Sequence, residues 1–332
     1  MRDKVVVITG ASSGFGRGAA LKFAASGVKV VGAARRKRAL KDLEKQSRKL
    51  GPPVRIVEAD VSRADEVEEL ASRTVREFGK IDVWVNNAGV GSVGFFDEIP
   101  LEEHEQVIRT NLLGTLYGSY FAMQEFRKRG RGILINMSSF AGKVGTPYLS
   151  SYAASKFGIR GLDMALRQEL EQNGETGIRV CTIMPVSFDT PFFAHSANHT
   201  GKPVRPVPPV YDPREVIETI VDLAQNPRDE VVVGRVGRFG SAQYRIAPKT
   251  VERLMGRNAH KSQVESEGTA TRGSGSVFEP MPTGTDVYGG WLESERGSRA
   301  ARMIGIALPT AIGIILLARK RNRRREEFEQ AA

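Results

Sequence analysis

The sequence predicts an α/β fold in which a doubly wound parallel sheet forms a single domain. Apolar runs rich in valine and isoleucine alternate with segments of helical period, an order typical of parallel sheets covered by helices on both faces. The runs are short and continuously apolar, as expected of strands buried on both faces. The seven predicted strands are residues 4–9, 28–33, 54–59, 81–86, 132–137, 178–184 and 230–234.

Helices are expected between these strands, and the segment after the third strand shows the clearest helical period. Val67, Leu70, Ala71, Val75 and Phe78 recur at spacings of one to four residues. That pattern places one apolar stripe along a helix of about four turns. We expect the stripe to pack against the sheet.

Length and composition exclude several classes of protein. The chain has 332 residues, of which 40% are hydrophobic and 26% charged, as in globular domains rather than in collagen or disordered chains. Its single cysteine, Cys181, allows neither an internal disulfide nor a cysteine-based zinc site. The four histidines are scattered along the chain, so no metal is expected.

The α/β pattern ends near residue 257, which predicts one domain over residues 1–257. Residues 258–302 contain many Gly, Ser, Thr, Glu and Arg residues and few periodic apolar positions, and we interpret them as a flexible linker. Residues 303–318 carry no charge, and residues 319–332 form a tail that begins with a basic run.

The uncharged segment 303–318 is a candidate membrane anchor. As a helix it would reach about 24 Å, which is short of the roughly 30 Å of a bilayer core, and Pro309 would kink it. Three interpretations remain open: the segment lies in one leaflet, spans the membrane with the tail outside, or docks as a soluble helix. The basic run after it favours contact with anionic lipid through residues 303–325.

The charge distribution and the N-terminus predict the compartment and the partners. The net charge of +11 is uneven and concentrates near the C-terminus. Nucleic acid is not expected as a partner, because no aromatic residues interleave with the arginines. The N-terminus enters a strand almost at once and lacks the apolar core of a signal peptide. We therefore expect the α/β domain to be cytoplasmic.

A glycine-rich turn follows the first predicted strand and precedes a helix. Residues 9–16 read Thr-Gly-Ala-Ser-Ser-Gly-Phe-Gly. Glycines let the backbone approach a pyrophosphate, and the helix N-terminus supplies free N–H groups with a partial positive charge. This strand–turn–helix context predicts a dinucleotide site. Its candidate residues are Gly10, Ser12, Ser13, Gly14, Phe15 and Gly16.

The end of the second strand indicates which dinucleotide binds. An acidic residue there favours NAD, but this chain has Arg35 and Arg36, followed by two further cations. Cations at a helix start oppose the helix dipole, and a bound 2′-phosphate would reverse that sign. Arg35 and Arg36 therefore predict NADP(H) as the cofactor.

The third strand ends in a second candidate site for the adenosine. Asp60 and Val61 follow Ala59, and we include both among the cofactor-binding candidates. The Asp60 carboxylate is a candidate acceptor for an adenine amino group. The alternative is that Asp60 caps the helix that begins near Arg63.

Two further motifs carry a family resemblance. Residues 86–89 read Asn-Asn-Ala-Gly after the fourth strand, and residues 152–156 read Tyr-Ala-Ala-Ser-Lys. With the glycine turn, in this order and spacing, the chain resembles the short-chain dehydrogenase/reductase superfamily over about residues 1–250. The resemblance implies a Rossmann-like fold and hydride transfer with NADP(H). It adds Asn87, Ala88 and Gly89 to the cofactor-binding candidates.

Tyr152 and Lys156 form the predicted acid/base pair. Four residues apart, they share one face of a helix. A free tyrosine has a pKa of about 10, and a nearby ammonium stabilises the phenolate and lowers that pKa. Tyr152 is thus expected to exchange a proton with the substrate oxygen. The resemblance also assigns Lys156 to the nicotinamide ribose, so both residues are catalytic and cofactor-binding candidates.

The resemblance assigns roles to two more polar residues. Ser139 matches the serine that hydrogen-bonds the substrate oxygen, with the adjacent Ser138 as the alternative. Asn111 matches the asparagine that supports a proton-relay water. Singly, each residue has an ordinary structural explanation, such as a turn. Together and in order, they favour a catalytic set of Asn111, Ser139, Tyr152 and Lys156.

One position departs from the family pattern. The family usually has Pro-Gly after the sixth strand, whereas this chain has Pro185 and Val186. Valine does not adopt positive φ cheaply, so we expect a locally different loop and a tighter nicotinamide pocket. Pro185 remains a cofactor-binding candidate, and Thr190 matches the residue that holds the carboxamide.

The substrate is only coarsely predicted. Apolar side chains on the segments expected around the pocket suggest an apolar carbonyl or alcohol, although packing in the core explains them equally well. They are Phe95, Phe96, Val144, Tyr148, Phe188, Phe192 and Phe193. The prolines of residues 188–212 predict a stiffened substrate loop. His195 and His199, on the same loop, receive no catalytic role.

These observations predict an NADP(H)-dependent oxidoreductase that interconverts a ketone or aldehyde and an alcohol. The alternative is a regulatory or membrane-tethered scaffold protein that binds NADPH with little turnover. The family resemblance also implies a homodimer or homotetramer, formed through the helices that hold residues 104–129 and 152–173.

Overall fold

Seven parallel strands form the central sheet of the computed structural model, which describes residues 1–292. The strands in chain order are β1 (Val5–Thr9), β2 (Lys29–Ala34), β3 (Arg55–Glu58), β4 (Val83–Asn86), β5 (Ser92–Val93), β6 (Gly132–Met137), β7 (Ile178–Pro185), β8 (Ala197–Asn198) and β9 (Glu230–Val233). The large sheet has the order β3-β2-β1-β4-β6-β7-β9, and β5 pairs only with β8. All seven predicted strands are therefore confirmed.

Helices cover both faces of this sheet. They are α1 (Gly14–Ala25), α2 (Lys37–Ser47), α3 (Ala64–Phe78), α4 (Leu101–Ile108), α5 (Gly114–Arg129), α6 (Ser150–Gln172), α7 (Phe192–His195), α8 (Arg214–Leu223), α9 (Arg235–Ile246) and α10 (Pro248–Gln263). One core packs α1, α2 and α8 on the first face, and the other packs α3, α5 and α6 on the second. The predicted stripe of α3 lies in this second core.

The strand order fixes where a ligand can bind. The chain runs outward from β1 through β2 to β3, and then returns to place β4 on the other side of β1. At such a switch point the connections leave the carboxyl ends of the strands in opposite directions and open a crevice. The glycine turn after β1 and the Asn-Asn motif after β4 both lie at this crevice.

The interpretation of residues 258–302 as a flexible linker is wrong over the part that the structure describes. Helix α10 continues to Gln263, and the chain after it is fixed to the domain. Asn198 and Gly273 exchange two backbone hydrogen bonds, and Val277 is fully buried. The Gly- and Ser-rich composition suggested a mobile chain, but small residues also permit close packing against another backbone.

Residues Met1–Trp291 accordingly form one compact unit. The candidate anchor 303–318 and the basic tail 319–332 lie outside the described residues. Within residues 1–292, no helix combines the length and the apolar character needed to cross a bilayer.

Candidate active site

A cavity of about 320 Å³ opens at the carboxyl ends of the central strands. Most of the predicted site residues line it, although they come from separate loops and helices. These are Gly10, Ser12, Ser13, Gly14, Phe15, Arg35, Arg36, Asp60, Val61, Asn87, Ala88, Gly89, Ser139, Tyr152, Lys156, Pro185 and Thr190. Gly16 and Asn111 lie behind the wall instead.

The glycine turn brings the backbone close to the loop after β4. Gly10 has a φ of 67°, and a Cβ atom on it would lie 2.8 Å from Ala88 Cα. A Cβ atom on Gly16 would lie 2.4 Å from the carbonyl oxygen of Gly10. Gly16 therefore closes the turn, and only glycine fits. This close backbone cradle, which leads into the N-terminus of α1, fits a dinucleotide pyrophosphate.

Arg36 forms hydrogen bonds with both serines of that turn. Its Nε and Nη2 atoms donate to Ser12 Oγ at 3.1 and 2.9 Å, and Nη2 also donates to Ser13 Oγ at 2.7 Å. Burial lowers the pKa of Arg36, and the neighbouring cations Arg35 and Arg17 lower it further. A cluster of mutually repelling cations beside two hydroxyl groups fits a phosphate, because an anion would relieve the repulsion.

Asp60 does not cap α3, so the alternative interpretation of this residue is wrong. The N-cap of α3 is Arg63, which makes no side-chain capping bond. The Asp60 carboxylate instead accepts a hydrogen bond from the Ser62 backbone N–H at 2.9 Å. Asp60 and Val61 both line the cavity, and the second carboxylate oxygen has capacity for another donor.

The Asn-Asn motif ties neighbouring strands together. Asn87 Nδ2 donates to the carbonyl oxygens of Thr9 and Gly10 at 2.9 and 3.3 Å, which joins the ends of β4 and β1. Asn86 is buried and donates to Asn136 Oδ1 at 2.8 Å. Both residues hold the crevice in shape, and the backbone from residue 87 to 89 forms part of its wall.

Tyr152, Ser139 and Lys156 meet at one end of the cavity. The Ser139 hydroxyl lies near the Tyr152 phenol and lowers its pKa, while Ser139 Oγ accepts from the Ala141 backbone N–H at 3.1 Å. Lys156 Nζ donates to the Met137 carbonyl oxygen at 2.7 Å and lies 5.5 Å from the centroid of the Tyr152 ring. Ser138 Oγ donates to the backbone carbonyl of Lys156 at 2.8 Å. Of the two serines, Ser139 is thus the one that influences the ionisation of the tyrosine.

Burial dominates the ionisation of this pair. It raises the pKa of Tyr152 to about 12, while the neighbouring Ser139 hydroxyl acts in the opposite direction. Desolvation lowers the pKa of Lys156 to about 7. The net shift of the Tyr152 pKa is thus opposite to the predicted lowering, because burial away from water disfavours the charged form of both groups.

Asn111 lies in a single π-helical turn, Arg109–Leu113, between α4 and α5. It is fully buried. Its Nδ2 atom donates to the Val90 carbonyl at 3.0 Å and to Ser155 Oγ at 3.1 Å, and its Oδ1 atom accepts from the Val90 N–H at 2.8 Å. The side chain is thus committed to fastening the loop after β4 to α6. The assignment of Asn111 to the catalytic set stays a prediction.

Val186 is accommodated by two glycines. Among the described residues the only positive φ outside glycine belongs to Tyr148, so Val186 keeps an ordinary backbone. Its methyl groups fill the space beside Gly234 and Gly237, where added Cβ atoms would lie 2.4 and 2.5 Å from them. Valine therefore packs between β7 and α9 and lines the cavity.

Only part of the predicted aromatic set reaches the cavity. Phe188, Phe192 and Phe193 line it, whereas Val144 is fully buried and Phe96 is 70% exposed. Phe95 packs edge-on against Tyr148, which hydrogen-bonds to His260 Nδ1 at 2.6 Å. Further lining side chains come from positions that no motif marks. They are Phe140, Leu149, Val207, Val236, Met255, Pro280 and Met281.

The two histidines of the substrate loop make structural contacts. His195 Nε2 lies 3.0 Å from the Thr283 carbonyl, and burial lowers the pKa of His195. His199 Nε2 lies 2.9 Å from the buried carboxylate of Glu103. Both contacts anchor the loop, and neither ring lines the cavity.

Comparison with known proteins supports the motif-based assignment. The family model for short chain dehydrogenase matches residues 4–200. The uncharacterized oxidoreductase YxnA of Bacillus subtilis is 33% identical over 300 residues, which cover 89% of this chain and 83% of that protein. This match therefore extends beyond the residues of the family model.

Two solved structures share the fold. An alcohol dehydrogenase from the archaeon Thermococcus sibiricus, complexed with 5-hydroxy-NADP, is 27% identical with a TM-score of 0.60, covering 69% of this chain and 95% of that chain. A short-chain dehydrogenase from Streptomyces avermitilis is 26% identical with a TM-score of 0.64, covering 74% and 94%. With its Rossmann-like sheet and its match to the family model, the chain belongs to the short-chain dehydrogenase family of oxidoreductases.

Proposed function

We propose that this protein is an NADP(H)-dependent oxidoreductase that interconverts an apolar ketone or aldehyde and the corresponding alcohol. The proposal rests on one observation: a single cavity has catalytic side chains and phosphate-attracting side chains in its wall. Tyr152, Ser139 and Lys156 lie in its wall, and so do Arg35 and Arg36. A proton-exchanging group and a phosphate-attracting group in one crevice suit a phosphorylated dinucleotide and a carbonyl substrate.

The residues that would hold the cofactor come from five strand ends and the loops that follow them, and from α6. Residues 10–16 and the α1 N-terminus would bind the pyrophosphate, and Arg35 and Arg36 the 2′-phosphate. Asp60 and Val61 would contact the adenine. The nicotinamide half would lie against Asn87, Ala88, Gly89, Tyr152, Lys156, Pro185 and Thr190. The bound dinucleotide supplies or accepts the hydride.

The proton is assigned to Tyr152. With a pKa of about 12, its phenol is protonated at neutral pH, which is the form that donates a proton to a carbonyl oxygen during reduction. The Ser139 hydroxyl orients the same oxygen. The phenolate left behind requires a nearby cation, and Lys156, with a pKa of about 7, takes up a proton more readily once that negative charge is present.

The walls around this group point to an apolar substrate. Phe188, Phe192 and Phe193 come from the loop after β7, and Val236 and Met255 come from α9 and α10. A small number of polar groups within an apolar pocket is the usual arrangement for an oriented small molecule. Among the described residues that line the cavity, Lys156 is the charged side chain beside Tyr152, whereas Arg35, Arg36 and Asp60 lie at the cofactor end.

Dinucleotide titration followed by turnover tests this proposal. The full chain is titrated with NADPH and with NADH, and NADPH oxidation is then followed with a panel of apolar ketones and aldehydes. We expect tighter binding of NADPH and turnover of part of the panel. Binding without turnover on any carbonyl supports the regulatory or scaffold alternative, and equal or tighter binding of NADH contradicts the role of the two arginines.

We also propose a homodimer or homotetramer built on α5 and α6. These helices expose large apolar side chains, namely Leu116 and Tyr120 on α5 and Phe157 and Met164 on α6. Burying them against a second copy would remove their apolar surface from water. Light scattering should give at least twice the chain mass, and Tyr120→Glu should reduce it to the monomer mass.

We propose a lipid contact through residues 303–325, with the surface of α9 as a second contact and the catalytic domain on the cytoplasmic side. Phe239 is 63% exposed and Ile246 is 77% exposed, and Arg235, Arg238 and Arg245 share this short helix with no acidic residue. Exposed apolar side chains beside cations suit an anionic membrane surface. Cosedimentation with phosphatidylserine vesicles should exceed that with phosphatidylcholine vesicles, and Phe239→Glu should abolish the difference.

A further inference from the structure

A segment near the C-terminus crosses the cofactor end of the cavity. Residues 274–291, here called the strap, follow the paired position Gly273 and pass over the two arginines. Arg35 donates to the Phe278 and Ser276 carbonyl oxygens, both at 2.6 Å. The strap therefore already holds one of the guanidinium groups proposed to bind the 2′-phosphate.

Arg36 makes still more hydrogen bonds than Arg35. Its Nη1 atom donates to the carbonyl oxygens of Met281 and Thr283 at 3.2 and 3.0 Å, in addition to the bonds that Nε and Nη2 make with Ser12 and Ser13. A guanidinium group has five N–H donors, and each nitrogen of Arg36 is engaged. A phosphate reaching Arg36 has to replace some of these acceptors.

The strap also occupies the N-terminus of α1. The backbone N–H of Gly14, the first residue of α1, donates to the Asp286 carbonyl oxygen at 2.9 Å. Burial lowers the pKa of Arg17, and the nearby Asp286 carboxylate opposes that shift. The strap thus brings a backbone acceptor and a negative charge to the helix end proposed for the pyrophosphate.

The end of the strap is held by Asp189 and Thr190, which are here called the seat. Asp189 Oδ1 accepts from the backbone N–H groups of Gly289 and Trp291 at 3.0 and 2.8 Å, and Trp291 Nε1 donates to the Thr190 carbonyl at 3.0 Å. A Cβ atom on Gly289 would lie 2.4 Å from that carbonyl oxygen. The seat therefore requires glycine at this position and defines the path of the strap.

We propose that the strap is an autoinhibitory gate whose backbone carbonyls occupy the phosphate-binding groups, so that NADP(H) binds only after residues 276–286 leave them. The inference rests on the proposed function, since it concerns the same cofactor site. Phosphate oxygens bond to guanidinium more strongly than neutral carbonyls do, so the dinucleotide can displace the strap. The apparent Kd is then raised by the scarcity of the open state.

Hydrogen–deuterium exchange on the unmodified full chain tests the direction of the effect. Saturating NADPH should increase exchange in residues 276–289, and NADH, which lacks the 2′-phosphate, should increase it less. Protection of these residues by NADPH would mean that the strap closes over the cofactor, which overturns the gate.

A matched pair of glycine variants provides a second measurement. Gly289→Ala places a Cβ atom against the Thr190 carbonyl, whereas Gly273→Ala has nothing within 4 Å. Neither glycine has a positive φ. Loosening the seat should lower the Kd for NADPH by about threefold to tenfold in Gly289→Ala, as the open state becomes more populated. The Kd of Gly273→Ala should stay within about twofold of the unmodified value.

The failure of the gate and of the proposed function can be told apart. An unchanged or higher Kd for NADPH in Gly289→Ala overturns the gate alone, because the dinucleotide still binds. If neither the unmodified chain nor Gly289→Ala binds NADPH or NADH, the proposed cofactor is wrong and the gate fails with it.

Discussion

The catalytic end and the cofactor end of the cavity are walled by different parts of the protein. At the catalytic end, side chains from strand ends and α6 act on one another: Ser139 lowers the pKa of Tyr152, and Lys156 lies beside the tyrosine ring. At the cofactor end, the strap contributes backbone carbonyls to Arg35 and Arg36. The contacts at the catalytic end require particular side chains, whereas the contacts that the strap makes at the cofactor end require only that its backbone follow this path.

This difference has consequences for substitution. Replacing a side chain at the catalytic end removes a specific proton or charge, and no neighbour can supply it. Replacing a side chain in the strap leaves its carbonyl acceptors in place, unless the new side chain blocks the path. Substitutions at the two ends should therefore have different effects.

Tyr152→Phe should lower kcat by about 10²- to 10⁴-fold, because it removes the group that exchanges a proton with the substrate oxygen. NADPH binding should persist, since the phosphate-binding residues are untouched. Steady-state kinetics and a dinucleotide titration measure both effects. Tyr148→Phe is the matched control: it removes a hydroxyl bonded to His260 and should keep kcat within a few-fold. Equal losses in the two variants would remove the assignment of Tyr152.

Substituting both arginines at the cofactor end should change cofactor preference. Arg35→Ala with Arg36→Ala should reduce the NADPH-over-NADH preference by about 10- to 100-fold, since hydrogen bonds to charged groups contribute roughly 1.5–3 kcal/mol each. The ratio of the two Kd values measures this. Lys37→Ala, which loses only an exposed ion pair with Glu58, is the control and should leave the ratio unchanged.

The packing of Val186 against α9 should be sensitive to volume. Gly237→Ala would place a Cβ atom 2.5 Å from Val186 Cγ1 and should lower the free energy of unfolding by about 1–3 kcal/mol. Adding Val186→Gly should recover part of that loss, because the two positions share one space. Urea denaturation of the four proteins in this cycle measures the coupling, and strict additivity would contradict the contact.

The depressed pKa of Lys156 should appear in the pH dependence of stability. Its pKa is about 7 in the folded protein against an ordinary value of 10.5. Between these values the unfolded chain binds more protons, so Lys156 makes the free energy of unfolding rise with pH, by at most about 1.4 kcal/mol per unit. Urea midpoints from pH 7 to pH 9 should show a smaller rise in Lys156→Met than in the unmodified chain. Parallel curves would contradict the shift.

The sheet and most of the site could be predicted because both impose residue types at fixed spacing. Strands buried on both faces need continuous apolar runs, and the turn after β1 accepts only glycine at Gly10 and Gly16. The four-residue spacing of Tyr152 and Lys156 places both on one face of α6. These requirements remain visible in the sequence even without a structure.

The remaining features depend on contacts between distant segments. The two glycines that accommodate Val186 follow β9, about 50 residues further along the chain. The direction of the Tyr152 pKa shift depends on how completely the surrounding segments exclude water. The strap resembled a linker because its contacts to Arg35 and Arg36 use backbone carbonyls, which any residue provides. Its Gly289 seat is recognisable only when the Thr190 carbonyl lies opposite.

In the proposed function, hydride moves between NADP(H) and a carbonyl carbon at Tyr152. The most direct measurement uses NADPH carrying deuterium at the transferable position, incubated with the full chain and an apolar ketone that it turns over. The account predicts an alcohol with one deuterium on the former carbonyl carbon, and about a 10²-fold or greater loss of that product in Tyr152→Phe. Bound NADPH with no labelled alcohol from any ketone or aldehyde would contradict it.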